Sequence, residues 1–557
     1  MLTPTTSERA ASLKAEGNAL FKAKDHRGAY EKYTQAISLD DKNAILYCNR
    51  SACSLALQRR LDAAEDADTA TQLDPTYVKA WARLAAARTG SLSTQREAIH
   101  ALNQALSLLP PENGSPPAIQ KQRAEYVGLL NAAMKQTTTM EEGVVLRTRH
   151  LSELVGIPDD RMPWNLAATV IPSLKATGQW NSSAWLIQYS RTEWEKGLNI
   201  LKELKVMPGP GENERSAMGL QGCVERLSNC VLSDCRSFKI MRQEVSEIME
   251  KFPSQLRLEL MTHGGWTSGG SRKVLKEASQ QLKTGDLAAI RGALSLTVRG
   301  WIMLGWIEEY FMDALEHALD YYTCALEVLE WGLELWKDED IQVPGLAFQP
   351  AFVRAVKCRH LWVLVKAYKE MLSEQILEEV GAGAQDLIEE LGEEREVPLG
   401  EWESPIFLGF VRYQLAEAHN LRAWYYHCAG KRERLAAGGI TDEVMDLFSL
   451  SAESYLQSAE VYPEDDEHHF WSLYYAYNIL LDVGHPAGDL IHIMKRAQEA
   501  GTKMKAIWEV AIHTCVCERK DALESCIKWR ADLVANIEQG TITDATPIMR
   551  PPPPGIK

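Results

Sequence analysis

The stretch Ala10–Asn43, AASLKAEGNALFKAKDHRGAYEKYTQAISLDDKN, decides how the rest of the chain is read. Gly17, Leu20, Ala29, Tyr33 and Ala36 occupy the small and aromatic positions of a helical repeat unit of about 34 residues. The pattern returns from Ala44, with Tyr47, Ala63, Ala67, Ala70 and Pro75 at matching places, and again from Val78 with Trp81, Leu84 and Ala85. One extra residue in the third unit then brings Ala98, Leu102, Ala105 and Pro110 into phase. Small residues at these places let paired helices pack closely, and a terminal proline cannot continue a helix. One such unit cannot bury its apolar face alone, so three in tandem predict a stacked all-α array.

Within the array, Lys14 and Asn18 are four residues apart, Lys79 and Arg83 are four apart, and Asn49 lies about one unit beyond Asn18. A spacing of four puts two side chains on one helix face. Five polar side chains, three of them cationic, are therefore expected to converge on one groove. A free main-chain carboxylate beside an acidic side chain places two negative charges close together, and its receptor needs several donors fixed in space. Lysine and arginine supply charge-assisted hydrogen bonds, and asparagine amides add neutral donors. A peptide C-terminus is the ligand this set fits.

The segments LKAEGN (Leu13–Asn18), LYCNRSA (Leu46–Ala52) and KAWAR (Lys79–Arg83) resemble the carboxylate-clamp tetratricopeptide domains of chaperone adaptors. The resemblance covers about the first 112 residues. It implies a superhelix of paired helices and a clamp made by Lys14, Asn18, Asn49, Lys79 and Arg83. It also implies a partner, the acidic C-terminal Glu-Glu-Val-Asp of heat-shock chaperones of the seventy- or ninety-kilodalton class. Leu84 stands where many members of that family carry a basic residue, and Leu55 is bulkier than in some, so the chaperone class stays open between the two.

At 557 residues the chain exceeds one core, so several domains or one long solenoid are expected. Its net charge is −16, whereas residues 1–110 hold 14 Lys and Arg against 12 Asp and Glu. A locally basic clamp on an acidic body steers acidic peptides and lacks the basic stripe that nucleic acid demands. Eleven cysteines without framework spacing read as reduced thiols. No basic-then-apolar leader opens the sequence, and no apolar run reaches about 18 residues, so the expectation is a cytoplasmic protein (nucleus possible) with no membrane partner.

A capping helix is expected over 118–135, closing a clamp domain of residues 1–138 whose units span 10–43, 44–77 and 78–112. Residues 139–286 read as a helical region of no assignable type, with helix resuming from about Ala217. Within it, the glycine-dense Thr262–Gly270 reads as a flexible or tightly turning loop. From about Leu287 the repeat returns in diverged form. Trp301, Leu304 and Gly305 open a unit that Ala318, Tyr322 and Ala325 continue, and further helix pairs are expected over 353–369 with 372–391, 405–428 with 447–461, and 470–481 with 490–500. Residues 287–540 are thus expected to be a solenoid-like body, and 541–557 a disordered proline-rich tail.

Glu378, Glu379, Glu389, Glu390, Glu393, Glu394 and Glu396 read as a solvated acidic belt. The run Glu464–His469 (EDDEHH) reads as chemistry at a helix start rather than a metal site. No phosphate-binding glycine loop, nucleophile elbow or metallophosphatase signature is present, so neither a catalytic residue, a metal nor a cofactor is expected. The function expected is a non-enzymatic co-chaperone-like adaptor with a second, unidentified protein partner on its helical body. The alternative is a helical-repeat scaffold for a non-chaperone partner, with the clamp incidental.

Overall fold

The computed structural model describes residues 5–112, 114–152, 158–208, 215–234, 236, 242–283, 285–338, 346–392, 404–509 and 516–550. The elements run α1 (Thr6–Lys22), α2 (His26–Leu39), α3 (Ala44–Ala56), α4 (Arg60–Leu73), α5 (Val78–Arg88), α6 (Leu92–Ser107), α7 (Pro117–Ser152), α8 (Pro163–Thr177), α9 (Ser183–Glu203), β1 (Lys205–Pro208) and β2 (Arg215–Met218). They continue α10 (Cys223–Asp234), α11 (Arg242–Thr262), α12 (Ser271–Gln281), α13 (Leu287–Ile307), α14 (Leu315–Leu335), α15 (Pro350–Met371), α16 (Glu374–Gly392), α17 (Ser404–Phe407), α18 (Tyr413–Ala437), α19 (Asp442–Val461) and α20 (Glu467–Val483). β3 (His485–Pro486), α21 (Ala487–Lys503), α22 (Val516–Glu538) and β4 (Pro547–Ile548) complete the order. The chain is all-α in class, as its repeat pattern predicts. It divides into two compact units that are discontinuous in sequence, one of residues 1–150, 203–224 and 245–348 and one of residues 151–202, 225–244 and 349–557.

In the first unit the helices form paired layers. Thr5 starts α1 with a reciprocal cap, its hydroxyl accepting from Glu8 N while Glu8 accepts from Thr5 N at 2.7 Å. Asp25 caps α2 through Gly28 N at 2.9 Å. α1 packs on α2, α3 on α4 and α5 on α6, with α2 against α3 and α4 against α5 continuing the stack. The small residues sit at the contacts: Ala29, Ala36, Ala63, Ala67, Ala70, Ala98 and Ala105 have no exposed surface. A Cβ on Gly17 would lie 2.8 Å from the Tyr33 ring, which explains the glycine at that place. The expected capping helix over 118–135 is longer than its pattern, α7 running Pro117–Ser152, and its Tyr126 and Ala133 are buried against α6 residues.

α13 and α14 repeat the same device, for a Cβ on Gly305 would lie 3.1 Å from the Tyr322 ring. Trp306, Phe311, Tyr321, Tyr322 and Trp336 are buried, so these aromatic side chains form core. The segment Leu287–Met312 has the length and composition of a membrane span, which the search for uninterrupted apolar runs overlooked. Most of it is buried within its own unit, as the core helix of a folded domain is.

The glycine-dense loop is a packing element. Its Trp266 N–H donates to Thr297 Oγ1 at 3.1 Å and its indole N–H to Glu277 at 2.8 Å. A Cβ on Gly270 would meet Asp62 Oδ1 at 2.6 Å, so the backbone here must lie close to α4. The start of α12 then grips α4. Arg272 donates to both Asp66 oxygens at 2.8 and 3.0 Å, while Arg50 of α3 donates to the same pair at 2.7 and 2.9 Å. Arg59 donates to Glu327 at 2.7 Å, and Asp320 of α14 accepts from Leu61 N at 2.7 Å. These long-range pairs group the repeats with residues 245–348, which the linear boundaries at 138 and 286 do not express.

Two further expectations are corrected. Residues 215–218, adjoining the helix expected from about Ala217, form a strand, and β1 pairs antiparallel with β2 through Lys205↔Met218 and Pro208↔Arg215. Four-residue strands carry too little alternation to register in a sequence pattern. Residues 541–550 of the expected disordered tail are ordered. β4 pairs with β3, Ala487 N–H donates to Thr546 O at 2.9 Å, and Arg550 N–H donates to Leu481 O at 2.7 Å. Partners some sixty residues away hold this segment, and proline composition cannot reveal them. Pro551–Pro554 and Glu393, Glu394 and Glu396 lie outside the described residues.

The second unit pairs α15 with α16, α18 with α19 and α20 with α21, which matches the expected helix pairs, and it adds α21 with α22. Its EDDEHH run lies at the start of α20. Asp466 caps that helix through His468 N at 2.7 Å and also accepts from Arg236 at 2.9 Å. Asp234 accepts from the same guanidinium at 3.0 Å, with the Trp508 ring 4.5 Å away. Glu378, Glu379, Glu389 and Glu390 are exposed on α16.

Two stability outcomes follow from these buried charges. Burial pushes the Asp320 carboxyl up to about 7, against the pull of the Leu61 N–H. The folded chain then holds this proton where the unfolded chain, with a carboxyl near 4, has lost it, so stability falls as pH rises from about 4 to 7. Asp320→Asn, which keeps an acceptor for Leu61, should flatten that fall in urea unfolding at pH 5 and 8, whereas Asp320→Leu should lower stability by about 1 kcal/mol. Arg236→Met leaves Asp234 and Asp466 buried without their cation and should lower stability by about 3–5 kcal/mol in the same assay.

Candidate functional site

The first helix of each repeat pair supplies the expected groove residues. α1 carries Lys14 and Asn18 one turn apart, α3 carries Asn49, and α5 carries Lys79 and Arg83 one turn apart. Asn49 Nδ2 donates to Asn18 Oδ1 at 3.3 Å, which joins α1 to α3 at this point. α3 also packs on α5. Burial raises the Cys48 thiol pKa, and a hydrogen bond with Tyr77 and the positive charges of Arg83 and Lys79 oppose that rise. Arg83 acts on Cys53 and Tyr77 in the same sense. Lys14 is placed by its single-turn spacing from Asn18, with no hydrogen bond of its own to the other four among the described residues.

Several cations of the array are neutralised, Lys32 by Glu16 at 2.8 Å, Arg50 by Asp66, and Arg88 by Asp68 at 2.6 Å. Among the described residues Lys14, Lys79 and Arg83 have no carboxylate partner. Asn18, Lys79 and Arg83 are exposed, and Lys14 and Asn49 are half-buried. Three uncompensated cations beside two amides can bind a carboxylate-rich ligand by charge-assisted hydrogen bonds.

Two neighbouring positions read differently in three dimensions. Leu84, which departs from the family's basic residue, is only 3% exposed and packs in the core with Ala67, Ala85, Ala101 and Leu102. It faces away from the groove, so its identity does not alter the lining. Tyr33 reads in the sequence as a repeat-packing residue, yet its hydroxyl donates to Asn18 Oδ1 at 2.7 Å. A tyrosine at a buried packing position, where phenylalanine would fill the same space, is the only sequence signal of that second role.

No protein-family model matches the chain. Among curated relatives, it is 48% identical over 81 residues to the heat shock protein sti1 homolog of Schizosaccharomyces pombe, 14% of each chain. It is 47% identical over 76 residues to the heat-shock cognate co-chaperone sgt12 of Aspergillus fumigatus, covering 14% of this chain and 22% of that one. The solved Sgt2 tetratricopeptide domain from Aspergillus fumigatus is 32% identical, with 24% of this chain and 88% of that chain covered and a TM-score of 0.20. The chain thus spans less than a quarter of the length of these curated relatives. Its N-terminal region is a tetratricopeptide array. Over about 80 residues that array is similar in sequence to these co-chaperone relatives, and the remainder of the chain is assigned to no family.

The packing that builds the site is testable. Gly17→Ala places a methyl against the Tyr33 ring and should lower the stability of the repeat array by about 1–3 kcal/mol, read as an earlier midpoint in urea unfolding of the full chain.

Proposed function

We propose that this protein is a non-enzymatic adaptor whose N-terminal repeats capture the acidic C-terminal tail of a heat-shock chaperone of the seventy- or ninety-kilodalton class. The observation that carries the reading is the uncompensated set Lys14, Lys79 and Arg83 beside the amides of Asn18 and Asn49, on a repeat array of the co-chaperone type. A terminal aspartate presents two carboxylates within one residue. Each cation lacks a carboxylate of its own among the described residues, so the ligand displaces water rather than a competing salt bridge. The helical body serves a second protein partner in this reading, as an adaptor requires. No metal or cofactor is needed for capture.

The test is calorimetric titration of the full chain with an acidic peptide ending in Glu-Glu-Val-Asp, beside the same peptide with its C-terminus amidated. The free acid should bind and the amide should not. Lys79→Ala or Arg83→Ala should each weaken binding by about 2 kcal/mol, roughly thirtyfold, and added salt should weaken the wild type. Equal binding of acid and amide, or indifference to both substitutions, would leave a scaffold whose clamp is incidental.

A further inference from the structure

Tyr33 lies beneath the groove, 2% exposed, with its ring against Gly17 and its hydroxyl at the two asparagines. The hydrogen bonds there have a direction. The phenol O–H donates to Asn18 Oδ1 at 2.7 Å, and Asn49 Nδ2 donates to that same oxygen at 3.3 Å. An amide oxygen has two lone pairs, so both acceptor sites of Asn18 are filled from within the protein. Its NH2 is then the end left for a ligand.

We propose that Tyr33 is a positioning residue that fixes the polarity of the Asn18 amide, so that Asn18 turns its donor end to the groove and favours a carboxylate. The inference rests on the capture of an acidic C-terminus proposed above. The phenol can play this part throughout the physiological range because burial pushes its pKa up to about 12, which keeps the proton on the donor. Without that proton, only the Asn49 contact at 3.3 Å restrains the Asn18 amide. A flipped amide would set its oxygen against the bound carboxylate. The packing role of the ring is separable, since phenylalanine keeps the contact with Gly17 and loses only the hydroxyl.

The experiment is a double-mutant cycle on the full chain, read by titration with the free-acid peptide ending in Glu-Glu-Val-Asp. Tyr33→Phe should weaken binding about tenfold, the scale of one hydrogen bond to a charged or charge-facing group. In an Asn18→Ala background the same substitution should change binding by less than twofold, because Tyr33 then has no amide to orient. In a Lys14→Ala background it should again act about tenfold. Para-aminophenylalanine at position 33, which restores a donor at the same place, should return affinity to within twofold of the wild type. Circular dichroism and unfolding midpoints of each variant separate loss of fold from loss of orientation. A full tenfold effect of Tyr33→Phe in the Asn18→Ala background, or no rescue by the amino analogue, overturns the positioning role while leaving capture intact. A wild-type chain that ignores the free acid overturns both.

Discussion

The close approach of an aromatic ring to a glycine is the constraint that spaces the first helix pair, and it recurs in both units. Gly17 admits the Tyr33 ring between α1 and α2, Gly305 admits Tyr322 between α13 and α14, and in the second unit Gly381 admits Tyr425 between α16 and α18. At each place a Cβ would come within 3.1 Å of the ring or nearer, closer than side chains pack. The glycine therefore sets the distance between two helices, and the alanines around it keep that distance along their length. In the first repeat the same contact has a second consequence. It carries the phenol of Tyr33 to the floor of the groove, where its hydroxyl meets Asn18.

Charge is distributed in the first unit by one rule with two outcomes. Where guanidinium groups are buried they meet carboxylates: Asp66 lies between Arg50 and Arg272, and Arg59 is shared by Asp62 and Glu327. Desolvation makes an unpaired charge there too unfavourable to keep. On the groove, where Lys79 and Arg83 are exposed, the cations stay without carboxylate partners among the described residues. Solvent carries their charge. The Asp66 cluster also joins the helix that bears Asn49 to the start of α12, because Arg50 follows Asn49 directly in α3. The repeat array and residues 245–348 share one set of buried charges.

Much of this was legible in the residues. The period of about 34 residues located α1–α6, since small residues at fixed places are what close helix packing requires. The spacing of four placed Lys14 beside Asn18 and Lys79 beside Arg83, because that spacing is a property of any α-helix. The diverged helix pairs of the C-terminal half were also readable, from Trp301, Gly305, Tyr413 and Tyr455 onward. The two short strand pairs were not, for a pair of residues such as Pro547–Ile548 holds no periodicity, and its partner lies at His485–Pro486.

The sequence by itself determined the helices, their pairing with neighbours and the one-turn spacing of Lys14 with Asn18 and of Lys79 with Arg83, because each rests on local spacing within about one repeat. Only the tertiary structure decided the rest. It turned a glycine-rich loop into a close contact with α4, buried Leu84 away from the groove, ordered residues 541–550, and bonded Tyr33 to the amide of Asn18. Each of these depends on which side chain meets which across a long separation or a shared interior. Hydrogen-bond direction and desolvation are settled at that meeting, and no local pattern records them.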